Sequence, residues 1–230
     1  MKVAVRHSFA FFLFALFLPV LAQAQTEKKA AFGILIDNTG TLRTQFQNVQ
    51  ILSNAIARST SERGFVALFN FETSGDPKKP FAIITGTNWT LNQAQLTKHI
   101  GYLTVVPGQT TLFEAIRNIG KSVDAKANSE KLEQKIIVLV TDGEDRASEV
   151  THKELIKELK ASGVKVYAIG LVEELSSDGG FMGPSPQKKS KDFLKNITKE
   201  TGGNVIFPRL RKETKVEDLL TELFAEPSKK

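Results

Sequence analysis

Apolar runs rich in β-branched and aromatic residues recur along the chain, and most are followed by a stretch whose apolar positions have helical spacing. This is the pattern of a mostly parallel sheet covered on both faces. The runs predict strands over Ala30 to Ile36 (AAFGILI), Gly64 to Phe71, Phe81 to Thr87, Lys135 to Thr141 (KIIVLVT), Val164 to Leu171 and, briefly, Asn204 to Phe207. Helices are predicted over Phe46 to Ser59, Leu91 to Ile100, Leu112 to Val123, Val150 to Ala161, Lys191 to Thr201 and Val216 to Phe224. Several have Thr or Ser near the start and Gly past the end, as at Ser162-Gly163 and Thr201-Gly202-Gly203. Only Glu72 to Pro80, with Gly75-Asp76-Pro77, separates the second and third strands. That is too short for a helical crossover, so the pair should be an antiparallel hairpin with the third strand at an edge. The expected fold is therefore α/β, a doubly wound, mostly parallel sheet with one antiparallel edge strand. Glu173 to Lys189 (EELSSDGGFMGPSPQKK) is the one long irregular stretch and should be a mobile surface loop.

The first residues follow a different pattern. Met1 to Ala24 has basic Lys2 and Arg6, an apolar run from Phe9 to Leu21 and the small-x-small triplet Ala22-Gln23-Ala24, the three parts of a secretory signal. Cleavage is expected before Gln25. The apolar run falls short of the roughly 20 residues that cross a bilayer, so no stable membrane insertion should remain after processing. Residues 1–24 are thus a signal peptide and 25–230 a single domain, secreted or periplasmic, long enough to bury a core without staples. The chain has no cysteine, which excludes thiol catalysis and thiolate metal sites. Removing Lys2 and Arg6 leaves 29 basic residues against 25 acidic ones. The excess is modest, and the clusters Lys78-Lys79, Lys188-Lys189 and Lys229-Lys230 have no interleaved aromatics, so nucleic acid is not an expected partner and solvated loops and tails are.

Three short segments place oxygen-bearing side chains directly after a buried strand or before a helix. They are Asp37-Asn38-Thr39-Gly40-Thr41, Gly108-Gln109-Thr110-Thr111 and Thr141-Asp142-Gly143-Glu144-Asp145. A carboxylate at the end of a fully apolar strand is costly unless it is exposed, hydrogen-bonded or neutralised by a cation. If the first and fourth strands are neighbours, Asp37 and Asp142 converge at the carboxyl edge of the sheet, where an open α/β fold keeps its ligand crevice. Two carboxylates with several hydroxyls form a hard, all-oxygen set suited to Mg²⁺, Mn²⁺ or Ca²⁺.

The ordered set Asp-x-Thr-x-Thr, Gly-x-Thr and Thr-Asp-Gly resembles the metal-ion-dependent adhesion site of von Willebrand factor A-type (VWA) domains. The resemblance extends from about Lys29 to Phe224 and implies the same doubly wound fold with one antiparallel edge strand. It implies a metal shell of Asp37, Thr39, Thr41, Thr110 and Asp142, with Mg²⁺ the first choice of cation and Mn²⁺ or Ca²⁺ as alternatives. Thr39 and Thr41 would bind directly, Asp37 and Asp142 largely through water, and Thr110 in the ligand-competent state, with Thr111 as its rival. The usual pattern has Ser at both hydroxyl positions. Thr keeps the hydroxyl, adds a methyl group and stiffens χ1. For function, the resemblance implies a protein-binding or adhesion module whose partner supplies a Glu or Asp to the metal.

Two further possibilities stay open. One is a metal-dependent hydrolase, for which Glu144 or Asp145 is the nearby general base; the other is a metal-free scaffold that binds through its Glu173 to Lys189 loop or a Phe-rich surface. Catalysis is the weaker expectation. His99 and His152 sit in helical patterns and are expected to be exposed, and no Gly-x-Ser-x-Gly elbow or Walker-type phosphate loop is present.

Overall fold

The computed structural model describes residues 29–73, 81–179, 183–211 and 213–225. The strands are β1 (Ala30–Ile36), β2 (Gly64–Thr73), β3 (Ala82–Gly86), β4 (Gln134–Thr141), β5 (Lys165–Gly170) and β6 (Val205–Ile206). The helices are α1 (Phe46–Ser61), α2 (Gln93–Tyr102), α3 (Leu112–Glu130), α4 (His152–Ser162), α5 (Pro186–Thr201) and α6 (Val216–Leu223), with a 3-10 segment at Gly40–Gln45. One sheet runs in the order β3-β2-β1-β4-β5-β6.

Every residue of β1 is buried, because helices cover both faces of the sheet. Phe32, Ile34 and Ile36 pack in one core with Val49, Leu52 and Ile56 of α1 and with Leu223 of α6. Ala31 and Leu35 point the other way, into a second core with Ile116, Ile119 and Val123 of α3 and Leu155 of α4. Each fully buried Leu, Ile or Phe contributes roughly 1.5–3 kcal/mol, so two such cores hold the layers together. Gly33 lets α3 approach closely: a Cβ there would lie 2.7 Å from Val123 Cγ2 and 2.8 Å from Ile119 Cγ2.

β1 pairs in parallel with β2 on one side and with β4 on the other, with Ile36 opposite Val140 at the carboxyl end. The chain leaves β1 toward α1 on one face and leaves β4 toward α4 on the other. The β1–β4 boundary is therefore the switch point where a crevice opens. β2 and β3 pair antiparallel, from Phe69 opposite Gly86 to Thr73 opposite Ala82, as the short connection requires. The Gly75-Asp76-Pro77 turn, Lys78-Lys79, Lys229-Lys230 and the expected signal at 1–24 lie outside the described residues.

Three expectations need correction. Helix α5 begins at Pro186 rather than Lys191, because Ser185 caps it by accepting from the Lys188 amide at 3.2 Å and proline suits the first helical position. The expected loop to Lys189 is shortened accordingly, and Lys188 and Lys189 lie exposed in the first turn of a helix rather than in a loop. Helix α3 continues past Val123 to Glu130, where Lys131 turns it at φ 55°. The two histidines are half-buried rather than exposed. A His99 ring nitrogen lies 3.4 Å from Asn70 Oδ1, and His152 packs against Phe113 and Phe193. Burial lowers the pKa of both. Among the described residues no helix is long and apolar enough to cross a membrane.

Candidate metal centre

The parallel register of β1 and β4 delivers Asp37 and Asp142 side by side at the carboxyl edge of the sheet. The Asp37 amide still donates to Val140 O at 2.9 Å, so the first carboxylate is held by the last rung of the ladder. Its Oδ1 accepts from the Thr39 amide at 3.0 Å and the Thr39 hydroxyl at 2.7 Å, while Oδ2 accepts from the Thr141 hydroxyl at 2.6 Å. Thr39 Oγ1 also lies 3.2 Å from Thr41 Oγ1, a contact in which either hydroxyl can donate. Asp142 Oδ1 accepts from the Glu144 amide at 2.9 Å, whereas Asp142 Oδ2 is buried with no hydrogen-bond partner.

A third strip closes the crevice. Val106 donates to Asn38 O at 2.8 Å, and Asn38 Nδ2 donates to Thr104 O at 3.0 Å. Thr110 O accepts from the Arg146 and Ala147 amides at 2.9 and 3.1 Å, which fastens Thr110 to the loop that follows Asp142. Thr110 and Thr111 are both buried. Asp37, Thr39, Thr41 and Asp142 thus gather in one place, with Thr110 tied to the adjoining loop.

The electrostatics are unfavourable by themselves. Burial pushes the Asp142 carboxyl up to about 7, and the neighbouring Asp37 charge adds to this; the Thr41 hydroxyl and the Glu144 amide oppose it. Asp37 is raised too, mainly by burial, against the pull of its Thr141 and Thr39 donors. Among the described residues no three His, Cys, Asp or Glu side chains gather to hold a metal ion. The set consists of two carboxylates and three hydroxyls. It fits a hard divalent cation: every donor is oxygen, one buried carboxylate oxygen has no partner, and a positive charge would reverse both pKa shifts.

Two acids considered as general bases are otherwise engaged. Asp145 Oδ1 accepts from the Phe113 amide at 3.0 Å and the Ser148 hydroxyl at 2.6 Å, which satisfies the start of α3 from a distant loop. Glu144 pairs with Arg146. Thr141 was not in the expected metal set, yet it orients Asp37 and also accepts from the Gly143 amide at 2.9 Å. The only sequence signal for that role was its place in Thr141-Asp142-Gly143.

The sheet order, the switch point and the antiparallel edge strand define a Rossmann-like α/β fold. Residues 33–222 match the von Willebrand factor type A domain family, and the chain belongs to it. Similar solved structures include an aerotolerance-related membrane protein from Bacteroides fragilis, at 16% identity and TM-score 0.59, covering 84% of this chain and 96% of that one. Manganese-loaded TRAP protein from Plasmodium vivax is 16% identical with TM-score 0.54, covering 80% of this chain and 66% of that one. The pilus adhesin SpaC from Lactobacillus rhamnosus GG is 14% identical with TM-score 0.58, and the match covers 80% of this chain but 29% of the adhesin. At these identities the likeness is one of fold. A search of curated proteins returns no match.

Proposed function

We propose that the chain is an exported, non-enzymatic protein-binding module of adhesion type, which holds a divalent cation at Asp37, Thr39, Thr41, Thr110 and Asp142. One observation carries this: Asp142 Oδ2 is buried without a partner beside a second buried carboxylate, in a crevice lined by hydroxyls. A folded chain keeps two desolvated acids together at a net cost unless something offsets their charge. When bound, a divalent cation supplies a coordination position open to a partner's Glu or Asp. Thr39 and Thr41 present neutral oxygens, so the set neutralises the cation only in part and favours an anionic partner. Asp37 is held in place by Thr141 and by its own backbone, and Asp142 by the turn through Glu144. Mg²⁺ is the first choice, with Mn²⁺ and Ca²⁺ as alternatives; the manganese in the TRAP structure agrees with an oxygen-rich site of this kind. The engagement of Glu144 and Asp145 argues against a positioned base for hydrolysis.

The test takes the protein recovered from the exported fraction, whose intact mass reports whether the chain starts at Gln25. Mg²⁺ at about a hundred times its dissociation constant should add about 2.7 kcal/mol to folding stability. For a domain of this size that is a rise in Tm of roughly 5–10 °C. Asp142→Ala should abolish the rise. Identical melting in Mg²⁺, Mn²⁺, Ca²⁺ and chelator would overturn the metal site.

A further inference from the structure

A cleft of about 370 Å³ opens beside the candidate metal centre and shares a wall with it, because Gly143 to Arg146, the loop that follows Asp142, lines one side. The other side is the start of α5, with Pro186, Lys189 and Phe193, and Phe113 at the first turn of α3 completes it. Phe113 and Phe193 lie with ring centroids 4.5 Å apart, and His152 stands edge-on behind Phe193 at 5.0 Å. Burial lowers the His152 pKa and so favours the neutral ring beside the two phenylalanines. The charges around the mouth are mostly spent. Asp145 is hydrogen-bonded to the start of α3, and Glu144 faces Arg146. Lys189 is exposed at the rim and makes no ion pair among the described residues.

We propose that this cleft is a second recognition subsite for the partner, taking an aromatic or large aliphatic side chain next to the acidic residue offered to the metal, with a further carboxylate reaching Lys189. The inference rests on the metal reading above. It selects one kind of partner, an acidic protein segment with an apolar residue between two acids. Apolar burial supplies affinity against the half-buried Phe113 ring, which is backed by the buried Phe193, and Lys189 supplies charge complementarity at the rim.

Three fluorescent peptides in a Gly/Ser background, carrying Asp-Phe-Glu, Asp-Ser-Glu or Asp-Phe-Gln, test it by anisotropy with the full exported chain in Mg²⁺. Asp-Phe-Glu should bind roughly tenfold tighter than Asp-Ser-Glu, the worth of burying one large apolar group. It should bind roughly two- to fivefold tighter than Asp-Phe-Gln. In Lys189→Glu, an exposed change that leaves the fold alone, that second preference should reverse while the first remains. Equal binding by all three peptides, or binding by none, overturns the proposal. Failure of the two readings is separable: if Mg²⁺ raises Tm but the Phe preference is absent, only the cleft is wrong. If the Phe preference survives in chelator and Mg²⁺ leaves Tm unchanged, only the metal is wrong. Self-association of the chain that Lys189→Glu abolishes, without peptide binding, would give the cleft to a second copy and also overturn it.

Discussion

Thr39 and Thr151 occupy equivalent positions, each just before a helical turn and each sharing its hydroxyl with a carboxylate, yet they sit in opposite electrostatic worlds. Thr151 caps α4 in a capping box, accepting from the Glu154 amide at 3.3 Å and donating to Glu154 Oε2 at 2.7 Å. There the acid is exposed, bonded through Oε2 and held below its ordinary pKa by its bonds to the Thr151 amide and hydroxyl. Thr39 makes no cap, and the turn it starts is 3-10. Its hydroxyl points back to Asp37, in a site where both acids are held above their ordinary pKa. The capping box completes a helix with what it already has, whereas the crevice leaves Asp142 Oδ2 buried without a partner. The residue types alone do not separate them; burial and the unpartnered oxygen do.

The largest effect should come from removing the hydroxyl that the crevice depends on. Thr141→Val leaves Asp37 Oδ2 without its donor and the Gly143 amide without its acceptor, both buried, and should cost about 2–4 kcal/mol, measured by urea unfolding in chelator. A loss no larger than that of an exposed threonine would dissolve the contrast. Next is Asp142→Asn, which should raise Tm in chelator at pH 7.5 by a few degrees, because it removes one buried charge, while abolishing the response to Mg²⁺. The pH dependence has a definite sign. A carboxyl raised from 3.8 to about 7 imposes no penalty below pH 3.8, and the penalty grows as the pH passes through that window. The metal-free wild-type protein should therefore melt higher at pH 5 than at pH 7.5, and Asp142→Asn should flatten that slope. A protein more stable at pH 7.5 than at pH 5 in chelator would contradict it. The smallest effect belongs to the exposed box: Thr151→Ala should cost about 1 kcal/mol, with Mg²⁺ stabilisation unchanged.

Much of the fold is legible in single residues. Every β1 side chain from Ala30 to Ile36 is apolar or glycine, and this reads directly as a strand buried on both faces. The short Glu72 to Pro80 connection reads as a hairpin because no crossover fits it. The start of α5 is hard to read because Lys188 and Lys189 look like solvated loop, although Ser185-Pro186 is a sound start signal. His152 looks exposed from its polar neighbours in sequence, and it is Phe113 and Phe193, from α3 and α5, that cover it. Thr141 differs again: it ends an apolar run, and nothing local says that its hydroxyl serves Asp37, which lies 104 positions away.

The order of strands and helices, the hairpin and the acid–hydroxyl segments were determined by the sequence itself, since they follow from side-chain period and turn chemistry within a few residues. The meeting of those segments was decided only by tertiary structure. Asp37 and Asp142 become neighbours because β1 pairs with β4, and that pairing sets how deeply both are buried and leaves Asp142 Oδ2 unpartnered. Desolvation and charge repulsion depend on distance through space, and no local pattern encodes that distance.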